Sequence, residues 1–153
     1  MAFLSSYIDN EKALKPGDKA PTIELATNSK EILDKGKIKI INFWSPKNPS
    51  SRIANQKISK YLKENPDSES IFISICTDSD DNLAKEVLKW DGIYDEGNHL
   101  FYSDVNSKVF KDFKTNGSHH TFVIASDGKI LKVNWFNPGN DGGLIHRQNE
   151  DME

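Results

Sequence analysis

Cysteine is almost absent from this sequence. Its 153 residues include a single cysteine, Cys76. No disulfide bond can therefore form within the chain, and a mechanism that needs two thiols of one molecule is excluded. Cysteine usage consequently gives no indication of the redox compartment in which the protein works.

The sequence also lacks an excess of basic charge and any long hydrophobic segment. Twenty Lys and Arg residues against 23 Asp and Glu residues give a formal net charge of -3. This balance gives no reason to expect nucleic acid or an anionic membrane as a partner. No apolar run approaches membrane-spanning length, and the opening residues 1–8 are too short and too polar for a signal peptide.

What is present has the composition of a soluble globular domain. Hydrophobic residues make up 36% and charged residues 28% of the chain, and a chain of this length buries one core more readily than two. We therefore expect a single domain over residues 1–153, with an N-terminal extension at 1–15 and a polar tail at 137–153. Helical spacing of four apolar residues predicts a short helix in the extension: Phe3, Leu4, Tyr7 and Ile8.

Five segments carry the signals of β-strands. Two runs rich in β-branched residues predict buried strands. A segment that begins with Ala20-Pro21 predicts an edge strand, and Asp127-Gly128 predicts the turn of a hairpin. The five segments are "APTIEL" (20–25), "KIKIINFW" (37–44), "IFISIC" (71–76), "TFVIAS" (121–126) and "KILKVNWF" (129–136).

Three segments between these strands predict helices. Asn48 followed by Pro49 is typical of an N-cap and a first helical residue, and Asn65-Pro66 ends that helix. Apolar residues at helical spacing predict two further helices, at 83–90 and 105–113. Alternating strands and helices indicate an α/β domain with a central mixed sheet between two helical layers.

The corner between the strong strand at 37–44 and the first helix is the most informative stretch. It reads "FWSPKNPSSR" over residues 43–52. A strand–turn–helix corner of this kind often carries a reactive group, because the amides of a helix N-terminus stabilise negative charge. This corner offers no cysteine, no acid and no histidine.

The order of elements and three local motifs resemble the thioredoxin fold, specifically the TlpA/ResA-type thiol–disulfide oxidoreductases. The motifs are "LKPGDKAPTIEL" (14–25), "IINFW" (40–44) and "GSHHTFVIASDGKI" (117–130). They resemble, in order, the family's opening segment, its active-site strand and the segment that carries its cis-proline. The resemblance implies a thioredoxin-like fold over about residues 14–136. It also implies a location outside the cytoplasm, which the sequence itself does not indicate.

Both redox cysteines of that family are replaced. The family motif reads Phe-Trp-Ala-x-Trp-Cys-Pro-x-Cys-Arg, and its two thiols exchange electrons with substrate disulfides. Asn48 stands at the position of the attacking cysteine, and Ser51 stands at the position of the resolving cysteine. The chain retains four other residues of the motif: Phe43, Trp44, Pro49 and Arg52.

Two further positions depart from the resemblance. His119 occupies the place of the cis-proline, and Asn42 falls where thioredoxin buries an acid, although asparagine is common there in TlpA-type relatives. We expect the Ser118–His119 peptide bond to be trans, because a cis bond to a residue other than proline costs about 3 kcal/mol.

Three interpretations of the corner remain open. The first treats it as a helix start kept for the fold, with Asn48 as its cap. The second is a ligand-binding pocket in which Lys47, Arg52 and His119 hold an anion or a peptide. The third is an acyl-transfer site with Ser51 activated by His119, although no acid is evidently placed to orient the histidine. The candidate binding residues are Trp44, Lys47, Asn48, Pro49, Ser51 and His119.

Other candidate residues have a structural explanation. Cys76 ends an apolar strand and is expected to pack in the core rather than to act as a redox thiol. His119 and His120 are consecutive, so in an extended strand they point to opposite faces and do not chelate one metal ion. All three tryptophans, Trp44, Trp90 and Trp135, are expected in the core, with Trp44 lining the corner.

The polar C-terminal tail contains no final helix to cover the sheet. Either the apolar N-terminal segment or a second subunit is therefore expected to cover exposed apolar surface, which makes a homo-oligomer one hypothesis. The preferred interpretation of function is a non-catalytic binding or accessory module without metal or cofactor, whose former active-site groove binds an extended peptide or protein. The alternative is a thiol–disulfide oxidoreductase or peroxidase relative that acts through Cys76 or through an unrecognised mechanism.

Overall fold

The computed structural model describes residues 13–21, 23, 37–115 and 119–134, with only the backbone described at 105–107. This part of the chain alternates strands with helices, as the sequence predicts. A short 3-10 turn, Pro66–Ser68, follows the first helix. The elements are β1 Ile38–Trp44, α1 Pro49–Glu64, β2 Ser70–Cys76, α2 Asp81–Trp90, β3 Asn98–Leu100, α3 Tyr102–Asp112, β4 Thr121–Ile124 and β5 Ile130–Val133.

The strands form one mixed sheet in the order β3-β2-β1-β4-β5. Strand β1 pairs in parallel with β2, and β2 pairs in parallel with β3. Strand β4 runs antiparallel to β1 and forms the predicted hairpin with β5. Strand β1 therefore has a partner on both sides, and its end at Trp44 lies beside the start of β4.

Side chains that alternate along the strands divide the core between the two faces of the sheet. Phe43 and Ile75 pack on one face against α3, with Phe113 among their partners. On the other face, Ile40 packs against α1, and Trp44 packs against α2. Helices thus cover both faces of a central mixed sheet, which confirms the predicted three-layer α/β architecture.

The short edge strand β3 was not predicted from the sequence. Its pairing with β2 is reinforced by side chains, because the Asn98 amide donates to the Phe72 carbonyl at 3.1 Å. Nε2 of His99 lies 2.8 Å from the Ile93 carbonyl, and Nδ1 lies 2.6 Å from the Ser74 hydroxyl. A carbonyl only accepts, so Nε2 carries the proton and Nδ1 accepts from Ser74. Both ring nitrogens of neutral His99 therefore form hydrogen bonds within the fold.

His99 is expected to make stability dependent on pH. Burial lowers its pKa below the ordinary 6.5, so the unfolded chain binds a proton more readily than the folded chain. We expect the contribution of His99 to the free energy of unfolding to be constant well above pH 6.5. It should fall as the pH decreases from 6.5 through the lower pKa of His99 in the folded protein. Urea unfolding at about pH 7.5 and about pH 5.5 measures the change. His99→Gln should reduce the difference between the two pH values; an unchanged difference would contradict this role.

The prediction that Trp90 lies in the core is wrong. Its side chain is 85% exposed, whereas Ala84 and Leu88 of the same helix are fully buried. Two residues beyond Leu88, a side chain points to the opposite side of an α-helix, so Trp90 faces solvent at the last position of α2. Trp135 lies outside the described residues.

The segment before β1 joins the hairpin by backbone bonds. The Ala20 amide donates to the Gly128 carbonyl at 2.8 Å, and Lys19 forms an isolated bridge with Lys129. Of the predicted edge strand at 20–25, only Ala20, Pro21 and Ile23 are described, and Ile23 is buried. The predicted N-terminal helix and the polar tail lie outside the described residues, so the proposed cover of the sheet stays a prediction. No described helix is long and apolar enough to cross a membrane.

Candidate functional site

The corner between β1 and α1 is a tight, hydrogen-bonded turn. The Asn48 amide donates to the Ser45 carbonyl at 3.0 Å, and the Lys47 amide donates to the Ser45 hydroxyl at 3.2 Å. The Asn48 side chain then accepts the Ser51 amide at 2.8 Å, with Pro49 as the first helical residue. The predicted N-cap and helix start are confirmed.

Ser51 is a buried structural residue of this corner. It is 1% exposed, and its hydroxyl lies 2.9 Å from the Asn48 carbonyl and 3.2 Å from the Ser45 carbonyl. The same oxygen accepts the Ser45 amide at 3.1 Å. The hydroxyl proton is therefore held by backbone carbonyls, and no described base contacts it. The acyl-transfer interpretation lacks the serine–base contact that it needs.

A buried polar network lies beneath the corner. The Asn42 amide donates to the Ser51 carbonyl at 3.0 Å and to the Asn55 side-chain oxygen at 2.7 Å. The Thr121 hydroxyl donates to the Asn42 side-chain oxygen at 3.1 Å. All four residues are at most 1% exposed. The network ties β1, α1 and β4 together through side chains.

Sequence reasoning identified only part of this network. It singled out Asn42 and Ser51 by resemblance, and it missed Asn55 and Thr121. Asn55 could have been identified from its position in the sequence. It lies between Ala54 and Ile58 on the buried side of the helix, where a polar residue needs a hydrogen-bond partner.

The charged residues of the corner are largely paired with acids. Arg52 makes two bonds to Asp91, at 3.0 and 2.7 Å, and the Asp91 side chain is 5% exposed. Lys47 lies 3.7 Å from Asp78 and is itself mostly exposed. The guanidinium of Arg52 is therefore already paired with an acid, and it joins α1 to the end of α2.

The helix N-terminus has little free capacity for an anion. The four donors that a helix leaves unsatisfied begin here with Asn48. The Asn48 amide donates to the Ser45 carbonyl, and Pro49 has no N–H. The Ser51 amide donates to the side-chain oxygen of Asn48. Only the amide of exposed Ser50 remains available to a ligand.

Trp44 and Cys76 form part of the core beside the corner, as predicted. Both are fully buried, and they pack together with Ala84 and Leu88 of α2. The Cys76 thiol donates to the Asp78 carbonyl at 3.5 Å. Burial raises the pKa of the Cys76 thiol to about 11, so its reactive thiolate is scarce at neutral pH. The Trp44 ring is therefore buried beneath the corner and is not exposed on its surface.

The two consecutive histidines occupy different environments. Nδ1 of His120 lies 2.9 Å from the Asn134 side-chain oxygen, and its ring contacts Phe122. His119 is half-buried next to the end of β1. Within the described ranges, no three His, Cys, Asp or Glu residues are grouped so that they could hold a metal ion. The predicted trans geometry of the Ser118–His119 bond involves a residue outside the described part.

The family is identified by a match that covers most of the chain. The model of the Redoxin family matches residues 15–139. The chain belongs to the Redoxin family. A search of curated protein sequences returns no match to this redoxin.

Solved structures similar to this redoxin are thioredoxin-like. A thioredoxin-like protein from Parabacteroides distasonis has a TM-score of 0.69 and 20% identity, over 90% of this chain and 96% of that chain. The thioredoxin domain of a thiol–disulfide oxidoreductase from Bacteroides vulgatus has a TM-score of 0.70 and 17% identity, over 92% and 100%. A secreted disulfide oxidoreductase from Mycobacterium tuberculosis has a TM-score of 0.63 and 17% identity, over 84% and 96%. These likenesses confirm the predicted thioredoxin-like fold.

Proposed function

We propose that this redoxin is a binding or accessory module of the TlpA/ResA type without thiol–disulfide activity, built as one domain over residues 1–153. The former active-site corner is its binding surface, and the bound partner is an extended peptide or protein segment. Thioredoxin-like domains bind such segments beside the loop that corresponds here to His119.

The replacement of both thiols by residues that complete the helix start carries this proposal. Disulfide exchange needs a thiolate that attacks and a second thiol that resolves the mixed disulfide. Asn48 and Ser51 supply neither, and their side chains bond the backbone of the corner instead. The two substitutions therefore keep the corner rigid but remove the thiols on which disulfide exchange depends.

The alternative, oxidoreductase chemistry at Cys76, is disfavoured by the surroundings of the thiol. Cys76 is fully buried, and it stands at the end of a strand rather than at a helix N-terminus, where thiolates are stabilised. The chain has no second thiol to resolve a disulfide formed with a client.

Reductase activity tests the loss of chemistry. We expect no reduction of insulin by dithiothreitol above background with the native protein, and measurable catalysis with the double variant Asn48→Cys/Ser51→Cys, because the helix start would again present two thiols. Each protein is also assayed with Cys76→Ala, which removes the only native thiol. Native activity that disappears in Cys76→Ala would establish the alternative and refute the proposal.

Peptide binding tests the corner as a surface. An array of random histidine-free dodecapeptides is probed with the native protein, and we expect a subset to be retained. Ser50→Trp, which places a bulky ring on the exposed first turn of α1, should abolish retention. The matched control Ser126→Trp, at another exposed serine in the β4–β5 turn, should not. Retention of no peptide, or equal loss in both variants, would overturn the proposed surface.

A further inference from the structure

Among the titratable groups at the corner that the structure describes, the half-buried imidazole of His119 has no evident role in the fold. The backbone fixes its position. Asn42 pairs with Thr121 across β1 and β4, and the Phe43 amide donates to the His120 carbonyl at 2.8 Å. Continuing this antiparallel register by one residue places His119 opposite Trp44, the last residue before the corner.

The same register fixes the side of the sheet on which His119 lies. Side chains alternate along a strand, so His119 shares a face with Thr121. Thr121 contacts Asn42, and Asn42 contacts α1. The imidazole of His119 therefore lies on the face that carries the N-terminus of α1, whereas His120 lies on the opposite face with Phe122.

No described residue forms a hydrogen bond or an ion pair with the His119 ring. Burial, and to a smaller extent the neighbouring charge of His120, lower its pKa below the ordinary 6.5. The charged groups on the bordering elements are paired elsewhere, Lys47 with Asp78 and Arg52 with Asp91. The ring is thus neutral at neutral pH, and its one donor and one acceptor have no described partner.

We infer that His119 is a specificity-determining residue of the corner, which contacts the bound polypeptide as a neutral imidazole and makes binding weaken on acidification. This inference rests on the proposed function of the corner. The segment that it favours offers a hydrogen-bond donor to the unprotonated ring nitrogen and has no carboxylate at that point. A bound segment removes the remaining water from the ring, and a charged imidazole without an acidic partner resists that loss of water.

The sign of the pH effect follows from this contact. Binding lowers the proton affinity of His119, so the protonated free protein must release a proton before it binds. Affinity is then constant above the ordinary titration range of histidine and decreases by up to about tenfold per pH unit below the pKa of the free ring. A carboxylate on the partner would reverse the sign.

The test uses the histidine-free dodecapeptides retained in the array. Their dissociation constants are measured with the full chain at about pH 7.5 and about pH 5.5, and we expect roughly threefold to tenfold weaker binding at the lower pH. His119→Gln keeps a neutral donor and acceptor and should bind equally at both pH values. His119→Lys, a permanent cation, should bind weakly at both, and His120→Gln should retain the native pH dependence.

A nuclear magnetic resonance titration gives an independent readout. Addition of a retained peptide should lower the pKa of the His119 ring, measured on its Cε1 proton, and should leave that of His99 unchanged. Peptides that bind with equal or greater affinity at the lower pH, or with a pH dependence that persists in His119→Gln, would overturn the inference and leave the proposed function standing. Retention of no peptide would instead overturn the proposed function.

Discussion

Replacing Phe43 by alanine is expected to lower the free energy of unfolding by about 3–5 kcal/mol. Phe43 is fully buried in the central strand β1. Its ring centroid lies 6.1 Å from that of Phe110, 5.3 Å from that of Phe113 and 5.8 Å from that of Phe122. Truncation removes these contacts and leaves a cavity between β1, β4 and α3, which the surrounding structure fills only in part. Urea unfolding followed by far-ultraviolet circular dichroism measures the loss.

The exposed Trp90 supplies the matched control for Phe43. Trp90→Ala removes a larger ring, but that ring faces solvent, so the free energy of unfolding should change by no more than about 0.5 kcal/mol. Phe43→Leu retains most of the buried volume, so its loss of unfolding free energy should lie between those of Phe43→Ala and Trp90→Ala. A Phe43→Ala variant as stable as Trp90→Ala would show that the aromatic cluster does not stabilise the fold.

Replacing Asn42 by leucine is expected to cost about 3 kcal/mol of stability, because each buried polar group left without a partner costs roughly 1–3 kcal/mol. Leucine has the same branched skeleton as asparagine but bulkier ends, so the loss combines unpaired polar groups with tighter packing in the buried site. Two groups lose their partner, the Asn55 side-chain oxygen and the Thr121 hydroxyl, and the Ser51 carbonyl within α1 loses its side-chain donor. Equilibrium unfolding in urea again provides the measurement.

A double-mutant cycle separates the network from its single residues. Thr121→Val removes the hydroxyl that donates to Asn42 and keeps the shape of the side chain. The double variant Asn42→Leu/Thr121→Val should lose less stability than the two single variants together, because the second change removes a group that the first has left unsatisfied. Strictly additive losses would mean that the two side chains do not stabilise each other.

The fold was predictable from the sequence where local signals agree. The β-branched run at 37–44 predicts β1, which spans Ile38–Trp44, and Asn48-Pro49 predicts the start of α1. Strand β3 escaped prediction because three residues show no periodicity. It forms through partners on other elements, such as the Phe72 carbonyl and the Ser74 hydroxyl. Burial of Trp90 was expected from residue type, whereas its helical position decides its exposure.

The corner was predictable as a helix start, but its contacts depend on residues distant in sequence. Arg52 and Asp91 are 39 residues apart, and Asn42 and Thr121 are 79 residues apart. No local pattern links such pairs, so the partner of Arg52 was not predicted and Thr121 was missed. The resemblance to a redox family drew attention to this corner, and the hydrogen bonds of Ser51 explain how the turn is held together without cysteine.

The buried network beneath the corner also bears on the thermodynamics of recognition. Asn42 is bonded to both neighbouring elements, so the surface proposed to bind a polypeptide is preorganised and would lose little conformational entropy on binding. Under the proposed function, the entropic penalty of association would fall on the ligand, which would have to become extended. Affinity at this corner should therefore depend more on the stiffness of the ligand than on any adjustment of the protein.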